Sequence, residues 1–201
     1  MMQSTVLKRR DEMTIQTREE VVKRIQSGQS MAGNDLSHAD LSYSNLRSGN
    51  FENANLSNAH LQNTNLNGAN LKGANLEGAF LFGSNLQNAN LEGANLAGAN
   101  LQDTNLENAS LNDVDLSGIS LFGANLDGAS CKNTKFIKTK MKRASLIGTD
   151  LQGADLTGAH CQRAVFKKAN LSNATLHGTN LMYADLTDAK LEGADKKDCI
   201  E

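Results

Sequence analysis

The sequence predicts an all-β solenoid in which the chain turns a corner every five residues. Three observations carry this. Over residues 36–191 every fifth residue is apolar, 32 times in succession and with no insertion or deletion. Twenty-six of these are Leu, and the exceptions are Phe51, Cys131, Phe136, Met141, Cys161 and Phe166. If this apolar position is called i, the residue at i−2 is small, as in Ala39, Ser44, Gly49 and Ala54, with only Val114 and Ile119 bulky. The residue at i+2 is Gly, Asn or Asp in 24 of 32 repeats and takes 14 of the 17 glycines.

Neither regular element explains a period of five. At ~100° per residue a helix would rotate successive leucines by about 140°, spraying them around its axis. A flat strand alternates faces, and five is odd, so successive leucines would fall on opposite sides. A corner in every repeat resolves both problems. Positions i−2 and i share a parity on a short extended piece and point inward, small beside large, as a narrow interior requires. The Gly- and Asn-rich position supplies the turn, because those residues tolerate positive φ. Each fully buried Leu contributes roughly 1.5–3 kcal/mol, against about 1–2 kcal/mol per residue of ordering entropy.

Segments such as Ala69-Asn70-Leu71-Lys72-Gly73 and Ala94-Asn95-Leu96-Ala97-Gly98 resemble the A(D/N)LxX unit of the pentapeptide-repeat family. The resemblance implies a right-handed quadrilateral β-helix with four pentapeptides per coil, so that residues 20 apart stack in columns. About eight coils would follow, a rod of about 38 Å at ~4.8 Å per coil. Leu56, Leu76, Leu96, Leu101, Leu116, Cys131, Phe136 and Cys161 are then core residues.

The elements follow in chain order. Residues 1–13, with the basic run Lys8-Arg9-Arg10, read as a flexible leader. Residues 14–30 hold a helix predicted over 17–27. Thr17 and Glu20 have capping-box spacing, Val21, Val22 and Ile25 form an apolar face, and Gly28 is the stop. This helix is expected to cover the first coil's unpaired edge and its Leu-filled mouth. The β-helix is assigned to residues 31–195. In 196–201 the frame is expected to fail, because Lys196 stands where Leu belongs. That end would be protected by charge or by a second copy of the chain, making an end-to-end homodimer.

Composition narrows the chemistry. The chain has net charge −2, no proline and no apolar run near the ~20 residues of a membrane span. Proline is excluded from a ladder that needs every N–H. The first residues lack the apolar core of a secretory signal, and three unevenly spaced cysteines make no disulfide framework, so a reducing cytoplasm is the expected compartment. Cys131 and Cys161 fall on opposite sides of a square coil. His38, His60, His160 and His177 have no Cys or His at metal-ligand spacing. No phosphate-binding glycine loop is present, since the glycine spacing is the repeat itself. No catalytic residue, cofactor or metal site is expected, and the chain reads as a non-enzyme.

The outward positions are uneven. Residues 33–130 carry 2 basic and 10 acidic side chains, net −8, and residues 131–168 carry 9 and 2, net +7. Phe80 and Phe82 should point outward, with Phe122 two coils on in the Phe82 column, and Met182 and Tyr183 extend the same face. The basic group includes Lys138, Lys140, Lys142, Arg143 and Arg163, with Arg143 and Arg163 directly stacked. Like charges one layer apart repel. The aromatics and the basic group are therefore the candidate partner sites. Packing on neighbouring columns is the plainer account of the first, and a solvated surface with counterions that of the second. Nucleic acid is disfavoured, because outward aromatics do not interleave with the cations and the overall charge is negative.

The expected function is a rod-like scaffold that binds a protein partner through its outer faces. The resemblance also implies alternatives: a DNA-mimicking inhibitor or protector of a type II topoisomerase (gyrase), a secreted effector or secretion-machine companion, or a role in cyanobacterial regulation. The DNA-mimic pattern includes acidity and projecting loops. This sequence has no loop insertion, and its acidic stretch is followed by a basic belt.

Overall fold

The computed structural model describes residues 17–200. Beyond a single helix, the described residues repeat one conformation: a single parallel β-bridge, then a two-residue turn, every five residues. Each bridge joins residues 20 apart, as in Asp35 to Asn55 and Asn55 to Asn75, so four pentapeptides make one turn of the coil. The β-pairing is thus a column of single bridges, with no extended strands among the described residues.

Residues 75–79 show why the repeat closes on itself. The Asn75 N–H donates to Ala54 O of the previous coil at 2.9 Å, and Leu76 N–H to Asn95 O of the next at 2.7 Å. Gly78 N–H donates to Ala97 O at 2.8 Å, and Ala79 N–H closes the turn onto Leu76 O at 2.9 Å. The fifth donor, Glu77 N–H, goes to the side-chain Oδ1 of Asn75 at 3.2 Å. All five amides of the repeat are therefore satisfied, one of them by the Asn at i−1. The same carboxamide continues as a ladder, with Asn75 Nδ2 donating to Asn55 Oδ1 and Asn95 Nδ2 to Asn75 Oδ1.

Positive φ falls at i+2, as expected, on Gly and non-Gly residues alike. Positions i and i−2 line the interior. Leu56, Leu76, Leu96, Leu101, Leu116, Cys131, Phe136 and Cys161 are all buried. Gly49 is the glycine that sits inward at i−2: a Cβ there would meet the Phe51 ring at 2.5 Å and Ile25 at 3.0 Å. Inward threonines donate to the main chain one coil back, as Thr64 Oγ1 does to Leu41 O at 2.8 Å, whereas buried Ser44 Oγ and Ser84 Oγ find no partner. Cys131 and Cys161 are free thiols whose pKa burial pushes far up, so both are inert.

Helix α1 spans Arg18–Gln26. Thr17 is its N-cap, with Oγ1 accepting from Glu20 N–H at 3.3 Å. Glu20 does not return the bond; its carboxylate pairs with Arg24 one turn on, at 2.8 Å. Gly28, at φ 75, ends the helix, with its N–H bonded to Ile25 O and Gln29 N–H to Arg24 O, a Schellman arrangement. Val21 is buried, Val22 and Ile25 pack on the core, and Arg18 reaches the Asp40 carboxylate in the first turn of the coil.

Two boundaries can be compared with expectation. Residues 1–16, which include the leader, lie outside the described residues. At the other end the coil runs past 195. Ile200 bridges Asn180, Asp198 takes φ 56 and Cys199 Sγ donates to Leu176 O. Residues 196–200 are therefore in frame in backbone terms, and only the interior Leu is lost, with Lys196 exposed in its place. The ladder bonds need main-chain groups, so a wrong side chain at i does not by itself end the coil.

Candidate functional site

Each side of the coil is built from pentapeptides 20 residues apart and can be labelled by an interior residue: the Leu56, Leu61, Leu66 and Leu71 sides. Seven of the eight exposed large apolar residues among those described belong to the Leu61 side: Tyr43, Phe80, Phe82, Phe122, Met182, Tyr183 and Ile200. The eighth, Ile147, is on the Leu66 side. Tyr43 and Tyr183 stand out most, at 75% and 76% exposed, at corners with φ 59 and 61.

The expected site residues fall as follows. Phe80, at i−1, stacks on His60 one layer earlier, with ring centroids 4.9 Å apart and planes at 39°. Phe82 and Phe122 occupy the i+1 column of the same side, separated by Gln102. Lys140, Lys142, Arg143 and Arg163 also decorate this side, and Lys138 sits at the corner it shares with the Leu56 side. The aromatic and basic groups are therefore not separate. Arg143 lies over the Phe122 ring, its guanidinium carbon 6.0 Å from the centroid, and Arg163 lies over Tyr183 at 5.9 Å. The absence of interleaved aromatics and cations, as expected from the sequence, is corrected here. Linear order separates Phe122 from Arg143 by 21 positions, while the coil sets them one layer apart.

The cations of the basic group on this side lack carboxylate partners among the described residues. In the basic belt Lys132 pairs with Asp150 at 3.3 Å and Lys135 with Asp115 at 3.9 Å, both off this side. Among the described residues no carboxylate forms an ion pair with Lys140, Lys142, Arg143 or Arg163.

A further feature of the side was not anticipated. On the Leu56 side the i−1 residue caps the i+1 N–H in seven layers, through Asp35, Asn55, Asn75, Asn95, Asp115, Asp155 and Asp195. On the Leu61 side only Asp40, Asn100 and Asn180 do so. His60, Phe80, Ser120, Lys140 and His160 fill the other i−1 places, and among the described residues the N–H groups of Gln62, Phe82, Phe122, Lys142 and Gln162 have no side-chain acceptor. A shallow surface cleft opens there, lined by Ser120, Phe122, Lys140, Lys142, His160 and Gln162 among others. The signal was present in the sequence as a run of non-Asn residues in one i−1 column. It carried no meaning until the hydrogen bond made by Asn at i−1 was known. No cluster of His, Cys, Asp or Glu able to hold a metal ion occurs among the described residues.

Comparison with known proteins gives a consistent family signal. The family model described as "Pentapeptide repeats (8 copies)" matches residues 27–58, 35–73, 50–88, 89–128, 124–160 and 159–195. HetL, a pentapeptide repeat protein involved in heterocyst differentiation regulation from the cyanobacterium Nostoc sp. strain PCC 7120, is 31% identical over 90% of this chain and 94% of its own, with a TM-score of 0.33. Rfr23, a pentapeptide repeat protein from the cyanobacterium Cyanothece 51142, is 27% identical over 49% of this chain, which spans 65% of Rfr23, with a TM-score of 0.40. QnrB1, a plasmid-mediated fluoroquinolone resistance protein, is 23% identical over 81% of this chain and 76% of its own, with a TM-score of 0.48. The search of curated proteins returns no match.

Proposed function

The chain belongs to the pentapeptide-repeat family, and on that premise we propose that it is a non-enzymatic scaffold that captures a protein partner on its Leu61 side. The family implies a right-handed quadrilateral β-helix, and we read the rod as about eight coils closed at one end by α1. The observation that carries the function is the gathering of seven of eight exposed large apolar residues on one side of four. Random decoration would spread them, and exposed large apolar side chains gathered on one face mark contact sites. A DNA mimic needs an acidic surface, and four cations without carboxylate partners on this side weigh against it.

The test is a Phe80→Ser, Phe82→Ser double variant. Its circular dichroism and melting temperature should match the parent, because both rings lie outside the core. Affinity capture from the native host, read by mass spectrometry, should lose the partners that the parent retains. Recovery of the same partners by both proteins would sink the assignment.

A further inference from the structure

We infer that the basic half of the Leu61 side binds an acidic peptide segment whose carboxylates take the place of the missing Asn and Asp oxygens. This deepens the scaffold reading above and rests on it. In three successive layers, at Phe122, Lys142 and Gln162, the i+1 N–H has no acceptor among the described residues, because Ser120, Lys140 and His160 stand where Asn or Asp would cap it. In capped layers the acceptor is a carboxamide or carboxylate oxygen on the outer surface, as with Asn100 onto Gln102 N–H at 3.1 Å. An incoming carboxylate can meet the uncapped donors from the same direction.

The surroundings are built for that charge. Lys140, Lys142, Arg143 and Arg163 cluster at these layers without ion-pair partners. Arg143 and Arg163 each lie over an aromatic ring, which leaves the edges of the guanidinium fork open to a carboxylate. The nearest carboxylate in their corner column, Asp103, is two layers from Arg143, roughly 10 Å at strand spacing. Phe122 and Met182 supply apolar contact beside the cations, so a segment alternating acidic and apolar side chains fits better than a purely charged one.

The cationic zone is short, and this decides between a peptide and a nucleic acid strand. It covers layers 140 and 160, and before it this side carries Asp103 and Asp40 and no Lys or Arg. A phosphate chain following the side would run onto like charge within a few nucleotides. Each of the two rings nearest the cations also has a guanidinium over one face, from Arg143 and Arg163, which leaves bases only the other face to stack on.

The test uses fluorescence anisotropy with the full chain and three labelled probes: a short peptide of alternating glutamate and leucine, its lysine–leucine counterpart, and oligothymidylate. The glutamate peptide should bind, weakening as salt rises, and the other two should not. Two sets of variants separate the determinants. Arg143→Gln with Arg163→Gln should weaken the glutamate peptide by about tenfold or more, while Lys167→Gln with Lys168→Gln, the same change of charge on another side, should change it by less than about twofold. Ser120→Asn with His160→Asn leaves the formal charge at pH 8 unchanged but restores two caps. It should raise the melting temperature and weaken the peptide several-fold. Equal losses in the two charge variants, unchanged affinity after the caps are restored, or tighter binding of oligothymidylate would each overturn the inference. If the glutamate peptide fails while the Phe80, Phe82 variant still loses its captured partners, only this inference falls. If both fail, the scaffold reading falls with it.

Discussion

The Leu56 and Leu61 sides share one backbone and one kind of interior, and differ in what their outward positions are spent on. On the Leu56 side, Asn and Asp at i−1 cap the main chain, and Asn55, Asn75 and Asn95 join in a ladder. Its corners are mostly Gly, as at Gly78, Gly98, Gly118 and Gly158. On the Leu61 side the caps give way to His60, Phe80, Lys140 and His160, and the corners include Tyr43, Arg143, Arg163 and Tyr183 at φ 59 to 62. Each such corner costs roughly 1 kcal/mol relative to a residue at ease in the left-handed region. The stacked cations add repulsion. Three separate costs thus fall on one side, and the contacts of Arg143 with Phe122 and of Arg163 with Tyr183 offset only part of them. A side that gives up stability in three ways at once is the side on which the proposed contact is placed.

This contrast can be broken first at the interior, where the two sides should behave alike. Leu96→Lys on the Leu56 side and Leu101→Lys on the Leu61 side each bury an unpaired charge, and each should destabilise by about 3–5 kcal/mol. Hydrogen exchange should show the loss confined to coils near the substitution, since each coil contacts only its neighbours. A large difference between the two variants would mean that the sides differ inside as well as outside.

The outward positions should respond with opposite signs. Asn75→Ala removes the cap of Glu77 N–H and two rungs of the ladder, and should cost about 1 kcal/mol in denaturant titration. Arg143→Gly relieves a strained corner and a repulsive pair, and should stabilise by up to about 1 kcal/mol. If both changes destabilise, the Leu61 side is not strained in the way described.

The smallest effect concerns pH. Ser42 holds the Asp40 carboxyl below its usual range through side-chain and backbone hydrogen bonds, aided by Arg18, and Ser117 does the same for Asp115 with Lys135 nearby. A carboxyl whose folded pKa is depressed stabilises above its unfolded value, near 4, and loses that contribution as pH falls through the folded value. The melting temperature should therefore be level from about pH 8 to 5 and decline below about 4. Both groups are largely exposed, so the decline should be shallow. Asp115→Asn keeps the Oδ1 acceptor and should flatten part of it in a calorimetric pH series. A melting temperature that rises on acidification would contradict this assignment.

Much of the fold could be read from the sequence because every repeat states the same constraint. Leu at i, a small residue at i−2 and a turn former at i+2 are each repeated until chance is excluded, and the structure buries or bends each accordingly. The helix was legible from Thr17, Glu20 and Gly28, which sit at fixed chemical stations. What could not be read depends on a partner 20 residues away or on a rotamer. Arg143 over Phe122 is of that kind, as is Gly49, whose missing Cβ is set by the size of Phe51 and the reach of Ile25. The Asn at i−1 was visible as a habit of composition. Its work as an acceptor for the amide two residues on depends on the side-chain rotamer, which composition does not state.

The fixed interval between paired residues makes surface position a matter of counting. Removing 20 residues from the middle of the rod would shorten it by one layer and leave every column aligned. Removing five would keep Leu, turn and ladder in step, yet carry everything downstream a quarter turn around the axis, so that Arg143 and Arg163 would no longer share a wall with Phe82. Removing one would put each later leucine at the outward i−1 position. A gene for such a rod can grow, shrink or re-aim its surface by whole multiples of fifteen nucleotides, and only the multiples of sixty preserve the alignment of a wall already made.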